Sequence, residues 1–251
     1  MQRYFVDEQN WQSDTVNIIG DDRHHIVNVM RMNVGDSLIA CHPKGVSYQC
    51  SIIAINTPEV TCQTVNKLVE QNELPIDIII AQGLLKGDKL DFVVQKSTEL
   101  GMKSFIPLKM ERSVVKWDNK KEEKKLARLK KIVKEASEQS ERSLLPTVYN
   151  SMTLEELINE IEYDHLLVAS EYLVRENNTS NHLKSAISQI NASEKVLIVF
   201  GPEGGFSEQE IQFLNQNDCK FIRLGKRILR AETAPLYALS TFSFYFEEWR
   251  C

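Results

Sequence analysis

The chain has 251 residues, of which 42% are hydrophobic and 26% charged, and its formal net charge is −5. This length allows one large domain or two smaller ones, and no apolar run reaches the length of a membrane span. The five cysteines are odd in number and show no CxxC spacing, so neither a disulfide framework nor a zinc site is indicated. The absence of this cysteine spacing leads us to expect no metal. Because the region after Met1 lacks the apolar run of a signal peptide, we expect a cytoplasmic protein.

The charge is unevenly distributed along the chain. Residues 86–142 hold 16 Lys/Arg against 10 Asp/Glu, whereas residues 1–72 hold 5 against 8 and residues 143–251 hold 9 against 15. A net negative chain is not expected to coat nucleic acid indiscriminately, but a basic segment within it indicates a local polyanion contact. The alternative is a solvated helix face with many salt bridges.

Short β-prone runs dominate the first 70 residues. Turn signals such as Gly35-Asp36 separate these runs, which cover residues 3–6, 37–41, 47–55 and 60–65. Several short strands separated by turns predict a small barrel, here interrupted by one short helix around residues 23–30. Residues 66–75 have the composition of a linker, so we expect one domain over residues 1–70 and another over residues 74–251.

Strand and helix patterns alternate from residue 76 onward. The predicted strands cover residues 76–81, 104–108, 165–170, 195–200 and 220–224. The predicted helices cover residues 88–100, 121–143, 153–161, 181–190 and 207–216, and a last helix starts near residue 233. This alternation predicts an α/β domain with a parallel sheet and helices on both faces.

The last predicted helix is apolar on nearly all sides. Its apolar residues are Leu236, Leu239, Phe242, Phe244, Tyr245, Phe246 and Trp249. A helix without a polar face is buried from several directions, so we expect a homodimer rather than a monomer.

The most informative motif is the turn Gly-Pro-Glu-Gly-Gly at residues 201–205. It follows an apolar run, and Ser207 with Glu210 then shows the capping-box spacing of a helix start. Ligands bind at the carboxyl ends of strands in an open α/β sheet, where such a turn would lie. The turn has neither the GxGxxG spacing nor a Walker A ending, and Glu203 stands where a phosphate would need a cation. It therefore suits a neutral or cationic ligand, or it is a tight turn without one.

A second segment of the same kind follows the strand that ends at Leu224. Residues 225–235 place Lys226, Arg227, Arg230 and Glu232 between a strand and a helix N-terminus. Two such loops on neighbouring strands could form one pocket.

The two loops, at residues 201–205 and 224–234, closely resemble those of the bacterial 16S rRNA (uracil-N3)-methyltransferases of the SPOUT superfamily. Residues 95–101 and 135–142 match two further signatures of that family, and residues 25–36 resemble its N-terminal RNA-contacting region. The resemblance covers essentially the full length. It implies a PUA-like β-barrel followed by a SPOUT methyltransferase domain with a C-terminal trefoil knot, and a homodimer that uses S-adenosylmethionine (SAM).

The resemblance also implies a role for individual residues in methyl transfer to uracil N3. Arg230 is the candidate for stabilising the developing imide anion, and Glu203 and Glu232 are candidate bases. Glu203 could instead be a carboxylate stabilised by the following helix N-terminus. The implied cofactor-binding residues are Val168, Ala169, Ser170, Gly201, Pro202, Gly204, Gly205, Leu224, Gly225, Ile228, Leu229, Thr233 and Ala234.

The partner that the resemblance implies is 16S rRNA of the small ribosomal subunit. A basic helix at residues 121–134 would hold its phosphates, together with Arg23, Arg31, Lys44, Lys96, Arg112, Lys116, Arg142, Lys226 and Arg227. Two other functions stay open at this point. One is a ribose 2′-O-methyltransferase of the same superfamily, and the other is an RNA-binding ribosome assembly factor without catalysis.

Overall fold

The structure, a computed structural model, describes residues 1–170 and 183–250. Its contacts divide the chain into two compact units. The first unit consists of Met1–Glu73 and Lys134–Leu145, and the second of Leu74–Val133 and Pro146–Cys251. The segment Lys134–Leu145 therefore packs with the first unit, although it lies far along the chain from the other residues of that unit.

The first unit is built on a five-stranded sheet with the order β1-β3-β4-β5-β2. Its strands are β1 (Arg3–Phe5), β2 (Thr15–Ile19), β3 (Ser37–His42), β4 (Val46–Ile55) and β5 (Glu59–Lys67). β1 pairs with β3 in parallel, and the other pairs are antiparallel. Because β1 and β2 are its two edges, the strands described here form an incomplete barrel.

Strand β2 is not among the predicted strands, although its burial alternates as a half-buried strand requires. Val16 and Ile18 are buried, and Asn17 between them is half-buried. The predicted helix at residues 23–30 is present as α1 (Gly20–His24), which continues into a π-helical turn at His25–Val29.

Two buried arginines hold the segment Lys134–Leu145 against the sheet of the first unit. Arg3 pairs with Glu70 and donates to the Ser47 hydroxyl at 3.0 Å and to the Arg142 carbonyl at 3.2 Å. The Arg142 side chain is 3% exposed and pairs with Glu73. The RNA contact expected of Arg142 stays a prediction, and the burial of its guanidinium does not support it.

The second unit contains a six-stranded sheet with the order β11-β9-β10-β6-β7-β8, and its strand pairs are all parallel. Its strands are β6 (Asp77–Gly83), β7 (Ser104–Leu108), β8 (Thr147–Val148), β9 (His165–Ala169), β10 (Lys195–Phe200) and β11 (Lys220–Ile222). The predicted parallel sheet is confirmed, and β7 and β10 have the bounds that the sequence predicted.

Helices cover both faces of this sheet, as predicted. They are α2 (Lys89–Glu99), α3 (Asn119–Gln139), α4 (Leu154–Glu160), α5 (Leu183–Ile187), α6 (Glu208–Gln216) and α7 (Ala234–Ser243). One core cluster includes residues of α2, α3, α5 and α7, and the opposite one includes residues of α4 and α6. Strand β10 alternates between them, because Ile198 belongs to the first cluster and Val199 to the second.

The chain ends in α7 and a π-helical turn at Phe244–Trp249. Leu239 and Phe242 are buried, whereas the side chains of Phe244 and Trp249 are 55% and 71% exposed. The apolar surface of this helix is therefore only partly covered by the residues described. The predicted helix at residues 181–190 begins outside the described residues and is seen as α5. No described helix is long and apolar enough to span a membrane.

Candidate active site

The carboxyl ends of three neighbouring strands meet at one edge of the six-stranded sheet. Ala169 at the end of β9 is in register with Phe200 of β10 on one side and with Ile222 of β11 on the other. The loops that follow β10 and β11 therefore start side by side. Together with Ala169 and Ser170 they line a cavity of about 290 Å³. The two loops that the sequence singled out belong to one pocket.

The turn after β10 is fixed by main-chain and side-chain hydrogen bonds. Gly205 donates from its amide to the Pro202 carbonyl at 2.9 Å and adopts a φ of +69°, a conformation that favours glycine. Gln82 of β6 donates to the Gly201 carbonyl at 2.9 Å. The predicted capping box of α6 is present, because Ser207 accepts from the Glu210 amide and Glu210 accepts from the Ser207 amide.

Close packing explains why residue 204 of this turn is a glycine. A Cβ added to Gly204 would lie 2.8 Å from the Arg112 carbonyl oxygen and 2.9 Å from its Cβ. Gly204 therefore faces the main chain near Arg112, and it is not among the residues that line the cavity.

The loop after β11 places apolar and cationic side chains at the same cavity. Leu224 is buried, Leu229 packs against the core, and Ile228 is 54% exposed. Arg227 and Arg230 are exposed and line the cavity. The Arg230 carbonyl accepts the Thr233 and Ala234 amides at 2.9 and 3.1 Å, which fixes the loop just before α7.

Glu203 of the first loop is bound to the start of α2. Its Oε1 accepts the Lys86 amide at 3.1 Å and the Lys89 ammonium at 3.1 Å. Burial alone raises the pKa of the Glu203 carboxyl, but these donors outweigh it and hold that pKa below its ordinary value. The described donors to Glu203 therefore come from Lys86, which precedes α2, and from Lys89 of α2, whereas Glu210 accepts the Ser207 amide at the start of α6.

Lys89 joins the carboxylates of both loops. Its Nζ lies 3.1 Å from Oε1 of Glu203 and 3.4 Å from Oε2 of Glu232. The hydrogen bond to Glu203, and next its charge, raise the pKa of the Lys89 ammonium. Within the described residues, the buried Oε2 of Glu232 accepts no hydrogen bond of acceptable geometry. The pocket thus contains an ion-paired carboxylate oxygen that still has acceptor capacity.

Most of the expected cofactor residues line this cavity. They are Ala169, Ser170, Gly201, Pro202, Gly205, Leu224, Ile228, Leu229 and Ala234. The expected residues that are not part of the lining are Val168, Gly204, Gly225 and Thr233. Val168, for example, is fully buried in the core cluster that includes residues of α4 and α6. Sequence reasoning missed the lining residues Lys89, Phe200, Phe206 and Ala231. Of these four residues, only Lys89 had a sequence signal, because it lies in the first turn of the helix that follows the predicted strand at residues 76–81.

The cations expected to bind RNA differ in their surroundings. Lys44 pairs with Glu8, Lys96 pairs with Glu99, and Arg23 donates to the Asn56 carbonyl at 2.8 Å. The other expected cations, apart from Arg142, are exposed: Arg31, Arg112, Lys116, Lys226 and Arg227. The described residues contain no group of three side chains that could hold a metal ion.

Comparison with known proteins identifies the family of the chain. Residues 72–243 match the model of an RNA methyltransferase domain, and residues 18–65 match that of an RNA methyltransferase PUA domain. The ribosomal RNA small subunit methyltransferase E of Bacillus subtilis is 43% identical over 98% of both chains. The chain belongs to the ribosomal RNA small subunit methyltransferase E family.

Further members of this family are similar over most of their length. The enzyme of the same name from Synechocystis is 32% identical over 93% of this chain and 74% of its own. The structure of the Neisseria gonorrhoeae enzyme bound to SAM superposes with a TM-score of 0.83, at 29% identity and over 98% of both chains. The resemblance seen in the sequence is therefore confirmed.

Proposed function

We propose that this protein transfers the methyl group of SAM to the N3 of a uridine in 16S rRNA of the small ribosomal subunit. The observation that carries the proposal is the single pocket formed by the loops after β10 and β11. Membership of the methyltransferase E family supports the reaction class, and the SAM bound to the Neisseria relative supports the cofactor.

The chemistry of the pocket fits SAM. Leu224, Ile228 and Leu229 offer apolar surface for an adenosine, and the Glu232 carboxylate offers an acceptor for a cationic group. When bound, SAM supplies an electrophilic methyl group on a positively charged sulfur. We assign the binding of SAM to the lining residues of the two loops. The expected residues outside the lining would support these loops; they are Val168, Gly204, Gly225 and Thr233.

Uracil N3 carries a proton at neutral pH and must lose it in order to attack. Arg230 is exposed and lines the cavity, and its positive charge would stabilise the imide anion that develops on the base. Of the two candidate bases, Glu203 is engaged by two donors on one oxygen, and its pKa is lowered, which weakens it as a base. Glu232 is the better candidate because it retains a buried oxygen with acceptor capacity.

The remaining parts of the proposal concern the rest of the molecule. Residues 1–70 form an RNA-binding PUA-like domain, and residues 74–251 form the SPOUT domain with a C-terminal trefoil knot. Exposed lysines of α3 and the exposed cations named above hold rRNA phosphates. The partly exposed apolar end of the chain, which includes Phe244 and Trp249, supports a homodimer. The protein acts in the cytoplasm.

Mass spectrometry of 16S rRNA tests the reaction. In a strain without this protein, one 3-methyluridine should disappear, and the purified protein with SAM should restore it. Loss of a methylated ribose instead would identify a 2′-O-methyltransferase. A protein that binds the rRNA but shows no heat of binding with SAM would be an assembly factor.

A further inference from the structure

Lys89 is a charged residue of the pocket that comes from neither of the two loops. It is the first residue of α2, 114 positions before Glu203 in the chain, and its side chain is 34% exposed. Its ammonium contacts a carboxylate from each loop, Glu203 at 3.1 Å and Glu232 at 3.4 Å. One cation therefore connects three segments of the pocket that are remote in sequence.

The two carboxylates depend on Lys89 to different degrees. Glu203 also accepts the Lys86 amide at 3.1 Å, so its position does not rest on Lys89 alone. Glu232, in contrast, pairs through its buried Oε2 with Lys89, the cation that the described residues place beside it. Removing the ammonium would leave that carboxylate without its charge partner and free to rotate away from the pocket.

We propose that Lys89 is a positioning residue that holds the Glu232 carboxylate where it can receive the proton of uracil N3. This inference rests on the proposed function. In the step, the N3–H bond breaks and the proton passes to Glu232, and the electron pair left on N3 forms the bond to the methyl carbon. The carbon–sulfur bond breaks, and its electron pair stays on sulfur as a neutral thioether. Lys89 acts through Glu232 and touches no reacting atom.

The variant Lys89→Gln of the full-length protein tests this role. We expect kcat for methyl transfer to fall about 100-fold, because misplacing a catalytic group by about 1 Å has an effect of that size. The Kd for SAM, measured by calorimetry, and the KM for RNA should change by less than about threefold, since the lost interaction acts in the transition state. In the SAM-free protein, amide hydrogen exchange of residues 229–234 should increase. Lys89→Arg, which keeps the charge, should recover most of kcat.

Lys103→Gln is the matched control. Lys103 is 37% exposed and lies 3.7 Å from Asp77, at the opposite, amino end of β6. This variant removes the same charge and a similar ion pair, and it should leave kcat and the hydrogen exchange of residues 229–234 unchanged.

A double-mutant cycle keeps the inference testable if Lys89→Gln is poorly folded. In a Glu232→Gln background, Lys89→Met, which removes the charge of the side chain, should have no further effect on kcat, because the carboxylate that Lys89 positions is gone. A wild-type kcat in Lys89→Gln would overturn the inference. So would losses of kcat that are additive in the cycle, or a Lys89→Gln variant that loses only its affinity for SAM. A wild-type protein that binds no SAM or makes no 3-methyluridine would instead overturn the proposed function, while hydrogen exchange would still report whether Lys89 orders the loop.

Discussion

Gln82 donates from its side-chain amide to the carbonyl oxygen of Gly201 at 2.9 Å, so the end of β6 fixes the first residue of the turn after β10. Gln82 is fully buried, and the two residues are 119 positions apart. The pocket is therefore supported from a strand that contributes neither of its two loops.

Gln82→Leu should weaken both the fold and the pocket. The Gly201 carbonyl would lose its donor, and a buried acceptor left unpaired costs about 1–3 kcal/mol. We expect the free energy of unfolding to fall by about 1 kcal/mol and the Kd for SAM to rise about tenfold. Urea unfolding and calorimetry measure the two effects. Gln209→Ala, on the exposed side of α6, is the control, and an unchanged SAM affinity in Gln82→Leu would contradict the prediction.

Two glycines near this turn should differ in their tolerance of a methyl group. A Cβ at Gly83 would lie 2.6 Å from Pro202 N and Cδ, which are rigid, whereas a Cβ at Gly201 would lie 3.2 Å from the Phe206 ring. We expect Gly83→Ala to lower the free energy of unfolding by about 2–3 kcal/mol and Gly201→Ala by less than about 1 kcal/mol. Urea midpoints of both variants check the order, and the reverse order would show that the strand end is not packed as described.

Glu138 should make the stability of the first unit depend on pH. Burial, and then the nearby Asp22 and Glu135, raise the pKa of the Glu138 carboxyl to about 7, against the opposing effect of Lys134. The folded protein therefore holds a proton that the unfolded chain releases near pH 4.3, and stability falls as the pH rises from about 4.5 to 7. Glu138→Gln should remove this dependence and be more stable at pH 8 by about 1–3 kcal/mol. Urea unfolding at pH 5 and pH 8 tests it, and equal slopes with pH in both proteins would argue against a raised pKa.

Exposed lysines of α3 should determine the salt dependence of RNA binding. Lys121, Lys124 and Lys130 are exposed. Arg128 is also exposed, but it pairs with Asp91 at 2.7 Å. Replacing the three lysines by Gln should lower the slope of log K against log salt concentration by about 2, because each phosphate contact contributes about 0.7–0.9. The control is a triple Gln variant at Lys184 of α5 and at Lys195 and Lys220, the first residues of β10 and β11. A slope that both variants leave unchanged would exclude α3 from the RNA contact.

Arg142→Gln should affect stability rather than RNA binding. The substitution removes a buried partner of Glu73, and breaking a buried ion pair costs about 3 kcal/mol or more. At a temperature where the variant is folded, its salt dependence of RNA binding should equal that of the wild type. A slope reduced by about 1 would instead indicate a phosphate contact.

Much of this protein follows from short-range patterns. The bounds of β7 and β10 and the capping box at Ser207 match the sequence prediction, because apolar runs and cap spacing involve neighbouring residues. The alternation of strands and helices is also enough to predict the parallel sheet, and the two loop motifs are enough to predict the family.

Tertiary structure alone decided which charges the pocket contains and which it excludes. Lys89 meets Glu203 and Glu232 because parallel strand order brings the ends of β6, β10 and β11 to one edge of the sheet. Arg142, which belongs to a motif shared with an RNA-modifying family, is buried against Glu73 instead of facing solvent. The sequence by itself determined most of the elements and the family, but pairing between residues 69 or more positions apart depends on how the elements pack.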